Sequence, residues 1–143
     1  MIKAVLDTNV LLIALPKTSP YRPIFDALLE GVFQLPVSTS IIQEYTEIIE
    51  QKTTSQIASN VAKLLEKLGN VHYTEVHFKW RLIEVDPDDN KFVDCAIAAQ
   101  ANCIVTDDKH FNVLKDIDFP DVTVVTPKQF LKTLQEITDA QKG

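Results

Sequence analysis

Short apolar runs alternate with longer helical patterns along this chain, and this alternation constrains the fold more than any other feature. The strand candidates are apolar or β-rich runs at 2–6, 33–37, 82–85, 103–106 and 122–125. Most are followed by a stretch in which apolar residues recur every three or four positions, which is typical of an amphipathic helix. Strands that alternate with helices indicate a parallel sheet with helices on both faces. We therefore predict an α/β fold, a three-layer α/β/α sandwich around a central parallel sheet.

Several helices in this scheme have recognisable ends. Ser40 is a candidate N-cap, with Gln43 three residues later as in a capping box. A second helix is predicted over 54–68 from its apolar stripe. Pro127 suits the first turn of a closing helix. Residues 70–81 fit a helix and an extended chain equally and stay unassigned.

The length and composition are those of one globular domain. The chain has 143 residues, 45% of them hydrophobic, and we expect a single domain over 1–143. No run approaches the roughly 18 to 20 apolar residues of a membrane-spanning helix, so a soluble, cytoplasmic protein is expected. Cys95 and Cys103 lack metal-binding or redox spacing and are expected to be reduced and buried.

The charge is acidic, with a net value of −6 and a sequence pI near 5.0. This argues against a protein that holds nucleic acid by bulk positive charge. It is compatible with a nuclease, because divalent cations bound by clustered acids reverse the local field. A phosphodiester then meets a metal ion and not a carboxylate.

Acidic residues recur where predicted strands end and helices begin. Asp7 ends the first strand, and Glu44 lies about one turn inside the helix after the second. Asp94 lies one to two turns inside the helix after the third strand, and the Asp107-Asp108 pair follows the fourth. All strand-to-helix junctions of a parallel sheet open at the same edge, so these side chains can gather there.

A plain structural interpretation also applies to each acid, because acidic residues at helix N-termini are ordinary stabilising features. On this basis Asp88 and Asp89 are interpreted as caps of the helix that begins near Asp89. Asp94 is harder to explain in this way. Its helical neighbours Ile97 and Ala98 are apolar, so its carboxylate is expected to border packed surface.

Gathered carboxylates need a counterion, because two charges at 4 Å repel by about 4 kcal/mol at an effective dielectric near 20. Hard oxygen ligands without histidine or thiolate favour Mg²⁺ or Mn²⁺ over zinc. One or two such ions would suit phosphodiester hydrolysis by a metal-activated water. The acids therefore predict a metal-dependent hydrolase.

Four motifs in this order resemble the PIN-domain ribonucleases over nearly the whole chain. They are VLDTNVLL, SIIQEY, DPDDNKFVDCAIAAQA and IVTDDKHF, followed by VVTPKQFL at the end. DTN alone is a weak motif, whereas the ordered set is specific. The resemblance implies that Asp7, Glu44, Asp94 and Asp108 are the metal-binding and catalytic acids.

Supporting residues also follow from the resemblance. Thr106 would be the supporting hydroxyl of the Thr-x-Asp motif, and this spacing favours Asp108 over Asp107 as the fourth acid. Asn9 would be a polar neighbour of the first acid. Apart from the resemblance, Lys109 follows the fourth acid, a position that suits contact with substrate phosphate and equally suits a solvated surface charge. His110 stands where related sequences often carry another acid.

Within the family, the motifs resemble bacterial toxin components of toxin–antitoxin systems. This implies an endoribonuclease dependent on Mg²⁺ or Mn²⁺, an RNA substrate, a small antitoxin partner and a homodimer.

Other functions were weighed beside this one. A PIN-fold binding module with little turnover, acting through an antitoxin or RNA, remains an alternative. A phosphohydrolase of the haloacid-dehalogenase type needs DxDxT, whereas this chain has DTNVL. A dinucleotide-binding oxidoreductase is disfavoured because none of the three glycines forms GxGxxG.

Overall fold

The computed structural model describes residues 1–142, so Gly143, the last residue of the predicted domain, lies outside the described residues. A five-stranded parallel sheet lies at its centre. The strands are β1 (Ala4–Leu6), β2 (Leu35–Val37), β3 (Val71–Tyr73), β4 (Cys103–Val105) and β5 (Val124–Val125). Their order is β3-β2-β1-β4-β5. A parallel bridge between Lys3 and Gln34 joins the two halves.

Six α-helices connect and cover these strands. They are α1 (Thr8–Ala14), α2 (Arg22–Leu29), α3 (Thr39–Lys52), α4 (Ser55–Lys67), α5 (Asn90–Ala99) and α6 (Pro127–Lys142). Short 3₁₀ segments occur at Pro87–Asp89 and Lys109–Asp116. Right-handed crossovers place α1 to α4 on one face and α5 on the other, because the chain reverses direction across the sheet after β3. This confirms the predicted α/β fold.

The core follows from strands that are covered on both faces. All three residues of β1, Ala4, Val5 and Leu6, are completely buried, and so is every residue of β2. Such strands read as continuous apolar runs in the sequence. Phe33, just before β2, packs edge-on against Phe130 of α6, with ring centroids 5.1 Å apart. That contact helps hold the closing helix beside α2.

The third strand is not where the sequence predicted it. Residues 82–85 form no strand, and β3 comes instead from the unassigned stretch. The two stretches differ in what their backbone groups hydrogen-bond with. The side-chain amide of Asn90 pairs with both the N–H and the C=O of Ile83, at 2.9 and 2.8 Å. The backbone of Val71–Tyr73 pairs with β2.

The start of α3 also differs from the prediction. Ser38, and not Ser40, is the N-cap, and its hydroxyl accepts a hydrogen bond from the Ile41 N–H at 3.3 Å. The predicted capping box is therefore wrong by two residues. Thr54 caps α4 in the same manner, and Pro127 is the first residue of α6 as predicted.

Both cysteines are buried free thiols, as expected. Burial raises the pKa of Cys95 to about 12 and that of Cys103 to about 11, so neither forms a thiolate readily. Separately, no helix within residues 1–142 combines the length and apolar character needed to cross a membrane.

Candidate functional site

The candidate site lies at the carboxyl edge between β1 and β4, where the strand order reverses. Asp7 follows β1, and Thr106 follows β4. Thr106 is buried, and its hydroxyl donates a hydrogen bond to Oδ2 of Asp7 at 2.7 Å. The same hydroxyl accepts from the backbone N–H of Asp108 at 3.0 Å. Thr106 thus ties the two predicted acids of neighbouring strands together.

Asp7 is strongly shielded from water, with 6% of its surface exposed. Burial raises the pKa of its carboxyl, and the charges of Asp108 and Glu44 raise it further. Hydrogen bonds from the Thr106 hydroxyl and the Thr8 N–H lower this pKa only in part. The ionised form of Asp7 is therefore disfavoured unless a cation is nearby.

Glu44 reaches this edge from α3 and has both carboxylate oxygens engaged. The Thr8 hydroxyl donates a hydrogen bond to Oε2, and the Lys91 ammonium donates to Oε1 at 2.8 Å. The helix is fixed beside β1 by its next residue, because the Tyr45 hydroxyl donates to the Leu6 carbonyl at 2.6 Å. Thr8 therefore binds the Glu44 side chain.

Asp89 belongs to the same group of acids, although the sequence interpretation treated it as a cap. It occupies the N-cap position of α5, but its side chain makes no capping hydrogen bond. Its Oδ2 is sealed from solvent and has no hydrogen-bond partner. Burial raises the pKa of Asp89 to about 7, and the nearby charges of Asp108, Asp86 and Asp7 add to this shift.

Asp94 lies in a different setting, one turn further along α5. Its carboxylate is buried, and Oδ1 accepts a hydrogen bond from the Trp80 backbone N–H at 3.0 Å. Burial raises the pKa of Asp94, whereas the Trp80 N–H and the charge of Lys79 lower it. The structure therefore joins Asp94 to the segment after β3, while Asp89 faces Asp7 and Asp108.

His110 adds a nitrogen to this acidic edge. Its Nδ1 lies 3.3 Å from Oδ1 of Asp108, 3.5 Å from Oδ2 of Asp89 and 4.0 Å from Oδ2 of Asp86. Atoms of Asp86, Asp89 and His110 that can bind a metal all lie within 4.8 Å of one another. Among residues 1–142, this is the only group of three or more such side chains that does so.

The remaining predicted residues surround these acids at the surface. Asp107 is exposed, whereas Asp108 is half-buried and lies close enough to raise the pKa of both Asp7 and Asp89. Lys109 is exposed, next to Asp108. Asn9 is exposed in the first turn of α1, two residues from Asp7.

The donor set fits a hard divalent cation. Its ligand atoms are carboxylate oxygens, with a single imidazole beside them, and carboxylates are the ligands that Mg²⁺ and Mn²⁺ prefer. The unpartnered Oδ2 of Asp89 and the raised pKa values of Asp7 and Asp89 point the same way. A nearby cation would stabilise the ionised form of both acids.

Asp89 carried a signal that sequence reasoning overlooked. It stands directly before the first turn of α5, in the run Asp86-Pro87-Asp88-Asp89-Asn90. Three acids in four positions exceed what one helix start needs for capping. The pattern left open which acid caps and which turns toward the sheet edge. In the structure Asp86 caps the 3₁₀ turn through Asp88 N–H at 3.2 Å, and Asp89 turns toward Asp108.

Comparisons with known proteins agree with this fold. The profile of a family described as PIN domain matches residues 3–110. No curated protein sequence matches the chain.

Similar solved structures include VapBC2 from Rickettsia felis bound to a DNA fragment from their promoter, with a TM-score of 0.61 and 14% identity over 87% of this chain and 98% of that one. FitAcB from Neisseria gonorrhoeae gives a TM-score of 0.57 and 19% identity, covering 87% of this chain and 97% of the other. DNA-bound VapBC from Salmonella typhimurium gives a TM-score of 0.55 and 13% identity, covering 89% of this chain and 99% of the other. At these identities the likeness concerns the fold.

Because the family profile spans most of the sequence, the chain belongs to the PIN-domain family.

Proposed function

We propose that this PIN domain is a metal-dependent endoribonuclease and the toxin of a toxin–antitoxin pair. The observation that carries the proposal is the set of mutually interacting acids at the β1–β4 edge. The charge of Asp108 raises the pKa of both Asp7 and Asp89, and Asp89 has a buried oxygen without a hydrogen-bond partner. PIN domains are generally nucleases, and this acidic edge suits that chemistry.

In this proposal Mg²⁺ or Mn²⁺ binds at this acidic edge, where Asp86, Asp89 and His110 bring candidate ligand atoms within 4.8 Å of one another and Asp7 and Asp108 add their charge. A divalent ion supplies an activated water and stabilises charge on the phosphate oxygens. Thr106 positions the ligands, because it binds Asp7 Oδ2 and the Asp108 N–H and so leaves Asp7 Oδ1 for the ion. Glu44 borders the same edge.

The third acid is assigned to Asp89 in place of the Asp94 of the sequence prediction. Asp89 interacts with Asp7 and Asp108, whereas Asp94 accepts a hydrogen bond from the Trp80 backbone. In this proposal Asp94 holds the segment that contains Trp80, after β3, against α5.

We place the RNA in the open cleft that adjoins the acidic edge at Asp88 and Lys91. The cleft has a volume of about 710 Å³ and is lined by the start of α3, by the segment after β3 and by α5. Lys79 and Lys91 line it, and so does the N-terminal turn at Ser38 and Thr39, which presents backbone N–H groups. These donors suit the phosphates of a single strand, although Asp88 and Asp94 line the cleft as well.

We place the antitoxin on a separate, mainly apolar groove between α1, α2 and α4. It has a volume of about 580 Å³, and the apolar residues that line it include Leu12, Leu15, Phe25, Ile57, Val61 and Leu64. Ile57, which is 41% exposed, belongs to this contiguous apolar surface, and such patches mark interaction sites more often than single exposed residues do. Lys17 at the rim suits an acidic flank on the partner's apolar segment. The solved VapBC structures, which are toxin–antitoxin complexes, support a partner of this kind.

The proposal is tested by incubating the purified chain with a generic single-stranded RNA and titrating Mn²⁺ or Mg²⁺. Cleavage should appear with the ion, stop with EDTA and disappear in Asp7→Asn. Failure to cleave, combined with tight binding of a co-expressed antitoxin, would favour the PIN-fold binding module. A homodimer remains the predicted assembly, and light scattering of the purified chain measures it.

A further inference from the structure

Three aromatic side chains, Phe78, Trp80 and Phe119, contact one another at the surface and are called the aromatic row below. Trp80 lies in the middle, with its ring centroid 4.7 Å from that of Phe78 and 6.0 Å from that of Phe119. Both contacts are edge-to-face, at interplanar angles of 65° and 79°. Phe78 is 63% exposed and Phe119 is 82% exposed. Large parts of these two rings are therefore open to a ligand.

The aromatic row adjoins the wall of the cleft in which we place the RNA. Phe78 stands between His77 and Lys79, and both of these residues line the cleft. The Trp80 backbone N–H donates to Oδ1 of Asp94 at 3.0 Å, and Asp94 lines the cleft as well. A strand that leaves the cleft on this side therefore meets the aromatic rings.

The charges beside the rings suit RNA better than a protein partner. Exposed Lys79 and Arg81 alternate with Phe78 and Trp80 along the chain. The core of a protein interface is depleted of charged residues. Surfaces that bind single-stranded nucleic acid instead combine cations, which contact the phosphates, with aromatic rings, on which the bases stack. The alternation of basic and aromatic residues follows this second pattern.

We propose that the aromatic row is a stacking surface for the unpaired bases of single-stranded RNA. Bases in a duplex are already stacked on one another, so their faces are accessible only in single strands, loops and ends. Because every base has an aromatic face, such a surface accepts different sequences. The phosphates should lie on the side of Lys79, because Asp118 directly precedes Phe119 and would repel them.

This inference rests on the proposed function, since it describes how the same RNA is held, but its test does not require cleavage. Trp80 is the only tryptophan of the chain, so its fluorescence reports directly on the aromatic row. A short single-stranded RNA is titrated into the full chain with EDTA present. We expect this RNA to quench the fluorescence of Trp80. A duplex of the same sequence, and an abasic strand that keeps the phosphates, should cause little quenching.

Substitutions at Phe78 separate base stacking from general apolar contact. Phe78→Leu keeps an apolar side chain without a flat ring. It should bind the RNA about 5- to 150-fold more weakly, the range typical of the loss of one base–aromatic stack. Phe78→Tyr keeps the ring and should bind as wild type does. Tyr73→Leu is the matched control, because Tyr73 is 58% exposed on β3, outside the aromatic row, and its loss should leave the affinity unchanged.

The outcomes distinguish this inference from the nuclease proposal. Wild-type RNA affinity in both Phe78→Leu and Phe119→Leu, or equal quenching by the abasic strand, overturns the stacking surface and leaves Mn²⁺-dependent cleavage standing. The predicted quenching and loss of affinity, without any cleavage in Mn²⁺, support the stacking surface and contradict the nuclease. If RNA has no effect while Phe119→Leu changes the mass measured by light scattering, the aromatic row is a contact between copies of the chain, and the inference is overturned.

Discussion

The Thr106 hydroxyl donates a hydrogen bond of 2.7 Å to Oδ2 of Asp7, joining the ends of two neighbouring strands that lie 99 positions apart in the sequence. The same oxygen accepts the N–H of Asp108. One buried hydroxyl therefore sets the separation of two acids in the candidate site. It also fixes which Asp7 oxygen remains free for a ligand.

Thr106→Val keeps the shape of the side chain and removes both hydrogen bonds. Residues that orient metal ligands typically contribute about 10- to 100-fold to metal affinity or activity. We expect a loss of Mn²⁺ affinity in that range, measured by calorimetric titration. Thr123→Val, at an exposed position before β5, is the control and should bind as wild type does. Equal affinities in the two variants would contradict this role of Thr106.

Asp94→Ala should weaken the fold more than the metal site. It removes the acceptor of the Trp80 N–H, and an unsatisfied buried donor costs roughly 1–3 kcal/mol. Urea unfolding should show a fall in the free energy of unfolding of that size. Asp94→Asn keeps an acceptor oxygen and should lose less. Unchanged stability in the alanine variant would show that the Trp80 contact is not maintained in solution.

Tyr45→Phe tests the anchor between α3 and β1. The variant loses the hydrogen bond from the tyrosine hydroxyl to the Leu6 carbonyl, for which about 0.5–1.5 kcal/mol is typical. The free energy of unfolding in urea should fall by this amount. Tyr73→Phe, with a parent side chain that is 58% exposed, is the matched control and should show no change. A similar loss in both variants would remove the special role of Tyr45.

The pH dependence of stability without metal follows from Asp89. Its pKa in the folded chain is about 7, above the ordinary value near 3.9 for an unfolded aspartate. Between these two values the folded chain binds more protons than the unfolded chain, so stability falls as pH rises and levels off above pH 7. The raised pKa of Asp7 acts in the same direction.

Thermal unfolding in EDTA from pH 4 to pH 8 measures this slope. Asp89→Asn removes the titrating group and should flatten the curve, whereas Asp26→Asn, on the exposed side of α2, should leave the slope unchanged. A wild-type chain whose stability rises over this interval would contradict the stated environment of Asp89.

The sequence was sufficient for most of the fold because its signals were local. β1 and β4 are apolar runs ended by a polar residue, and parallel strands buried on both faces produce that pattern. Residues 82–85 carry a similar pattern, but their backbone partner is the Asn90 side chain. No property of the run itself distinguishes a side-chain partner from a neighbouring strand.

The candidate site was predictable in part for the same reason. Asp7 directly follows β1 and Asp108 comes three residues after β4, so the strand pattern alone predicts that both lie at this edge of the sheet. Asp89 was interpreted as a cap because it stands directly before α5 and the sequence does not show which acid of 86–89 caps; in the structure its side chain makes no capping hydrogen bond. The pairing of Lys91 with Glu44 spans 47 positions and has no local signature.

The proposed place of Asp89, rather than Asp94, in the metal site is tested by comparing Asp89→Asn with Asp94→Asn. Each variant removes one carboxylate charge from the same stretch of chain. Mn²⁺-dependent cleavage of single-stranded RNA is measured alongside Mn²⁺ binding. We predict that Asp89→Asn loses both RNA cleavage and Mn²⁺ affinity by about 100-fold or more, which exceeds the effect typical of residues that only orient a ligand. In Asp94→Asn, the cleavage rate and the Mn²⁺ affinity should stay within about tenfold of wild type. Loss of RNA cleavage and of Mn²⁺ binding in Asp94→Asn, with Asp89→Asn unaffected, would contradict the assignment of Asp89 to the metal site.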